Sequence, residues 1–157
     1  MIGTNNLGAG ELPRPTAEGV LAVVEYLLEQ TKETGNHIML FHVLPRGDGK
    51  TWLQSLCPPR CNKDGSPFTS FLPAIEKVNQ VVQEGVDKLN GQYKSKSSLP
   101  RIQMVDCGKA FLNTKGGDGN ALEVKQELMP DLLHPNAAGH KILANCIRDF
   151  VNQVDKQ

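Results

Sequence analysis

The residues with the clearest chemistry are Asp131-Leu132-Leu133-His134-Pro135-Asn136. A carboxylate and an imidazole three residues apart, just ahead of a helix, can turn toward each other. The carboxylate then accepts a hydrogen bond from one ring nitrogen and fixes the tautomer. It also stabilises the imidazolium formed when the other nitrogen takes a proton. That chemistry makes His134 a general base for a serine nucleophile and Asp131 its orienting acid. The same residues also fit a pair of solvated loop polars at a helix start.

Other motifs carry less. Gly47-Asp48-Gly49-Lys50-Thr51 echoes a phosphate-binding loop, but Leu44 stands where that pattern needs its first glycine, and Pro58 and Pro59 follow closely. It reads as a solvated turn. Gly8-Ala9-Gly10 is an equally weak dinucleotide signal, with Pro13 and Pro15 set against a helix start. Cys57 and Cys61 bracket two prolines and an arginine, a stretch that a disulfide could close in an exported protein. Zinc lacks a second ligand pair, and His37 and His42 fall on opposite faces of a strand, so no metal site is expected. Cys107 and Cys146 sit among apolar residues and read as small core residues.

These side chains need elements to position them. Thr16 to Thr34 reads as a helix capped by Thr16, with Val20, Leu21, Val24, Leu27 and Leu28 on one stripe and Gly35 as the stop. His37 to Leu44 reads as a strand buried on both faces. Arg46 to Pro67 is rich in Gly, Pro, Asp and Lys and reads as a surface loop. Phe68 to Asn90 forms a second helix, Gln92 to Pro100 a polar linker and Arg101 to Cys107 a second strand. Phe111 to Pro130 is irregular. Asn136 to Val154 is a final helix capped by Asn136, with Ile142, Leu143, Cys146, Ile147, Phe150 and Val154 inward. Strand and helix alternate, which predicts an α/β fold with a parallel sheet covered by helices. Ligands bind such sheets outside the carboxyl ends of the strands. That rule singles out Gly3 to Asn6, the turn at Pro45-Arg46-Gly47, and the loops from Cys107 to His134.

Composition narrows the function. Lys and Arg number 17, as do Asp and Glu, so formal net charge is zero over 157 residues. This balance argues against nucleic acid or an anionic membrane as a partner. No apolar run approaches the ~20 residues of a membrane span. Charged residues at 22% and hydrophobic residues at 39% fit one soluble domain.

Two blocks together resemble a family. Asp131-x-x-His134 with Pro135-Asn136-Ala137-Ala138-Gly139-His140 resembles the last block of the SGNH (GDSL-type) esterases and lipases, and Gly3-Thr4-Asn5-Asn6 resembles their Gly-x-Asn-Asp block. Asn6 departs from the usual Asp. The catalytic subunits of intracellular platelet-activating-factor acetylhydrolases share that Asn and the Leu44-Pro45-Arg46-Gly47 turn. The resemblance implies a flavodoxin-like three-layer sandwich and a serine-type ester hydrolase needing no cofactor. It assigns Asn5 to the oxyanion hole, His134 as general base and Asp131 as orienting acid. Gly3 and Arg46 are the candidate substrate-binding positions. Its substrate is a small ester with a short acyl group on a lipid or a sugar, and a homo-oligomer stays open. Trp52 is a further candidate contact.

The family's Gly-Asp-Ser nucleophile block and its second block have no counterpart here. Asp64-Gly65-Ser66 is the nearest in flavour, and no serine follows a buried strand and opens a helix. The nucleophile is therefore unassigned. The expectation is a single domain over residues 1–157, N-terminally truncated and lacking its first strands, with 46–67 an inserted surface loop. The chain as written is then inactive, and one side of the first strand is bare. The alternative is a non-catalytic descendant that binds a ligand or partner. Compartment stays open, with the cytoplasm favoured.

Overall fold

A computed structural model describes residues 3–34, 36–94, 100–114 and 122–154. The chain begins with the short helix α1 (Thr4–Gly8), then α2 (Pro13–Gln30), strand β1 (Ile38–Phe41) and α3 (Gly49–Ser55). There follow α4 (Leu72–Gln92), β2 (Ile102–Val105), a 3-10 turn (Lys109–Phe111), β3 (Leu112–Thr114), β4 (Leu122–Val124) and α5 (Ala137–Val154). The architecture is α/β.

β1 and β2 are parallel, with Ile38 beside Ile102 and Phe41 beside Val105. Alternation splits their side chains between two layers. Ile38, Leu40, Ile102 and Met104 join the core under α2 and α4. Met39 and Gln103 lie along Phe150, Val151 and Val154 of α5 on the other face. Helices therefore cover both faces of a parallel pair, as the alternating pattern predicts. Ala17, Val20, Val24 and Leu28 form the buried stripe of α2, and Ile75, Val78, Val82, Val86 and Leu89 that of α4. The two helices meet where Gly85 faces Leu21, and a Cβ there would collide with the leucine.

α4 also holds the strands by their backbones. The Asn79 amide accepts from the Val43 N–H at 2.8 Å and donates to its carbonyl at 3.2 Å. Asn90 brackets Ile102 in the same way, at 2.9 Å for both bonds. Each amide stands in for a missing strand neighbour. Among the described residues no strand pairs with the other edge of β1. Val23, Leu27, Phe41 and Ile147 stay exposed along it.

Several elements depart from the sequence reading. α2 starts at Pro13, not Thr16, with proline in its first turn and no side-chain cap. Proline lacks an N–H that the first turn cannot use anyway, so Pro13 and Pro15 favour this start. Gly35 lies outside the described residues. The β1 strand is shorter than His37 to Leu44, and α4 begins at Leu72 and runs through Gly91. Arg46 to Pro67 is no simple surface loop. α3 opens right after Asp48 and is pinned by Leu53, 4% exposed. The stretch from 111 to 130 holds an antiparallel pair, β3 with β4, over a second small core of Phe111, Val124, Leu128 and Met129. Cys107 and Cys146 are not free core residues. They form a disulfide that staples α5 to the end of β2. Cys57 and Cys61 also pair.

Candidate functional site

The Asp131–His134 loop is built on the second core. Asn136 carries much of it. Its Oδ1 accepts the Gly139 N–H at 3.0 Å, capping α5, and its Nδ2 donates to the Glu127 carbonyl at 2.8 Å. The Asn136 N–H donates to the Leu128 carbonyl at 2.9 Å. Gly139 leaves room for this closeness, since a Cβ would lie 2.7 Å from the Leu128 oxygen.

Within the loop, one Asp131 oxygen accepts the backbone N–H groups of Leu133 at 3.0 Å and His134 at 2.7 Å. The other carboxylate oxygen lies 2.6 Å from His134 Nδ1. An ionised Asp131 accepts there, so Nδ1 carries the proton and Nε2 keeps a lone pair. The backbone N–H of His134, then its ring, then the Leu133 N–H hold the Asp131 carboxyl well below the usual carboxylate range. The pair is solvent-facing, with side-chain exposures of 55% for Asp131 and 73% for His134. Between them Leu132 takes φ 61°, a left-handed conformation rare for a bulky side chain. Strain of this kind persists only where surroundings over-determine it.

The surroundings are the Pro45–Gly47 turn. The Gly47 N–H donates to the Leu132 carbonyl at 2.7 Å. A Cβ on Gly47 would sit 3.1 Å from Val124 Cβ and 3.2 Å from Leu132 Cβ. The neighbouring residue, Arg46, reaches the other way. Its Nη1 donates to the Thr4 carbonyl at 2.8 Å, and Nε donates to Asp48 Oδ1 at 2.7 Å. The guanidinium lies 4.3 Å from the centre of the Phe71 ring. Pro45 completes the junction, since a Cβ on Gly108 would be 3.1 Å from its Cδ. All three segments singled out by the strand-end rule meet at this turn.

Asn5 follows Thr4 in the first turn of α1. It is exposed, and its side-chain amide makes no hydrogen bond among the described residues. Gly3 is buried with φ 102°, and a Cβ there would touch Val43 Cγ2 at 3.0 Å. It is a close-approach position for the backbone. Arg46 is only 4% exposed, with its guanidinium engaged by Asp48, Thr4 and Phe71. Sequence reading placed Arg46 at the site but did not find these partners. Trp52 falls on α3, and its side chain lies outside the described residues. No serine hydroxyl is bonded to the His134 ring among the described residues; Ser66 Oγ donates to Asp64 and Ser70 Oγ accepts from the Leu72 N–H. Ser95, Ser97 and Ser98 lie outside them. No described helix is long and apolar enough to cross a membrane.

Among curated proteins, none matches the sequence at a significant level. The family model described as GDSL-like Lipase/Acylhydrolase matches residues 1–147, nearly the whole chain, and both the Gly3–Asn6 and Asp131–His134 blocks fall inside the match. The protein therefore belongs to the GDSL-like lipase/acylhydrolase family, the SGNH class of ester hydrolases.

Proposed function

We propose that Asp131, His134 and Asn5 form the acid, base and oxyanion-donor part of a serine ester hydrolase site. The observation that carries this is the 2.6 Å contact between Asp131 and His134 Nδ1, which leaves Nε2 free to accept a proton. His134 takes the hydroxyl proton of a serine as its oxygen attacks the acyl carbon. Asp131 stabilises the imidazolium, and His134 then protonates the departing alcohol. The Asn5 amide donates to the oxygen that becomes negative, a contribution of ~3 kcal/mol for one such donor. The substrate class is a small ester with a short acyl group.

No serine of these 157 residues stands in a Gly-Asp-Ser block, so on this reading the nucleophile is one that they do not supply. The open edge of β1 supports this reading, because a further parallel strand leading into Gly3 would pair with it and cover Phe41 and Leu27. Arg46 acts by holding the Thr4 carbonyl beside Asn5, not by touching substrate. The 157-residue chain should show no His134-dependent turnover of p-nitrophenyl acetate. Turnover should appear when an upstream in-frame segment carrying Gly-Asp-Ser is restored, and His134→Ala should abolish it. Turnover by the 157-residue chain that is lost in His134→Ala would overturn the nucleophile assignment. A stop codon directly upstream would favour the non-catalytic, ligand-binding reading instead.

A further inference from the structure

We infer that the cavity behind α1 binds a small anionic amphiphile, a medium-chain carboxylate, with its tail inside and its head on Arg60. The cavity holds about 300 Å³, at the lower end of the range for small-ligand sites. Leu7 of α1, Leu12 ahead of α2, Leu56, Phe68, Phe71 and Ala74 of α4 line it. Leu12 and Phe68 remain 48% and 42% exposed, so apolar surface is left open at the mouth.

Arg60 stands at the rim with its geometry fixed. Its Nε donates to the Gly10 carbonyl at 2.8 Å, and its own N–H donates to the Leu56 carbonyl at 2.8 Å. The Cys57–Cys61 disulfide brackets the residue on the chain. Gly10 has φ 87° and lets Leu56 approach, since a Cβ there would lie 3.3 Å from Leu56 Cδ2. The terminal guanidinium nitrogens have no partner among the described residues. A planar fork held at one nitrogen and open at the others suits a carboxylate. An apolar cavity under such a fork suits a carboxylate with a hydrocarbon tail. Glu11 also lines the cavity, and its carboxylate opposes a second negative charge on the ligand head. None of the lining residues belongs to the Asp131–His134 loop, and binding needs no turnover. The site therefore stands apart from the hydrolytic reading, and failure of one leaves the other intact.

Titration of the oxidised protein with octanoate, read by isothermal calorimetry, tests the site. One saturable site is expected. Arg60→Gln should weaken octanoate about tenfold and leave the neutral analogue octanol unchanged. Glu11→Gln should tighten octanoate. Ala74→Phe, which fills the cavity, should weaken both ligands at least tenfold. If Ala74→Phe does not fold, Phe68→Ala at the open mouth decides, with octanoate binding several-fold weaker. Absence of saturable octanoate binding overturns the proposal. So does octanoate binding that Arg60→Gln leaves unchanged, or that the cavity variant leaves unchanged.

Discussion

The buried guanidinium of Arg46 donates to the main-chain carbonyl of Thr4, 42 residues earlier in the chain, at 2.8 Å. The next residue, Gly47, donates its N–H to Leu132 at 2.7 Å. Two consecutive residues thus tie the Asn5 segment and the His134 loop to one turn. The charge that makes this tie is 4% exposed and neutralised by Asp48, 23% exposed. Arg46→Met removes the tie and leaves Asp48 without its cation. The expected cost is about 2–3 kcal/mol, at the lower end for a broken buried pair because Asp48 keeps some water. Urea denaturation measures it. Arg46→Lys should recover only part, since an ammonium cannot span Thr4 and both Asp48 oxygens from one plane.

The Asp131 carboxyl should titrate below the usual aspartate range. Its folded pKa lies under the ordinary value near 3.9, so its contribution to stability is present above that pH. That contribution is lost as pH falls through the folded value. Carboxyl carbon NMR shifts across an acid titration test this. His134→Ala should raise the Asp131 midpoint but not to the ordinary value, because the backbone N–H groups of residues 133 and 134 still donate. An unmoved midpoint would show that the ring contributes nothing.

Gly47→Ala should loosen the His134 loop. The added methyl meets Val124 and Leu132 Cβ atoms at 3.1 and 3.2 Å, and neither is the far end of a flexible side chain. Overpacking of this kind costs about 1–3 kcal/mol. Amide exchange of Leu133 and His134 should quicken, with β1 and β2 unchanged. Uniform quickening across the strands would argue against a local effect.

Reaction with a thiol reagent under denaturing conditions should find no free thiol in the oxidised protein, because all four cysteines are paired. The Cys107–Cys146 link closes 39 residues and should contribute about 4 kcal/mol by loop entropy. Replacing both cysteines by alanine should lower the urea midpoint accordingly. Opening the five-residue Cys57–Cys61 ring should lower it less.

What the sequence made legible was mostly local. Asp131 reaches His134 across three residues, and Asn136 caps the helix that directly follows it. Both depend on spacing and residue type alone. The α2 and α4 stripes were legible because their apolar residues repeat at steps of three and four. Arg46 was legible in place but not in role, because Thr4 and Phe71 come to it only through the fold. The Cys107–Cys146 bridge was hidden for the same reason, its apolar neighbours reading as core. α3 was masked by a Gly- and Pro-rich stretch and exists because Leu53 is buried. β3 and β4 are three residues each, too short for alternation to show. Asn79 and Asn90 lie outside the apolar stripe of α4, and Val43 and Ile102 come to them only through the fold.

Those two asparagines make α4 a ruler. They are eleven residues apart, roughly 16 Å along the helix axis. One grips the exit of β1 and the other the start of β2. Slippage of either strand by a single residue would present each amide with the wrong carbonyl and turn every side chain to the opposite face. The stagger of two strands separated by some sixty residues of sequence is thereby set from a third element, not from any turn between them. Replacing one asparagine at a time should therefore read out as loss of alignment in one strand only, a way to weaken the sheet from a chosen end.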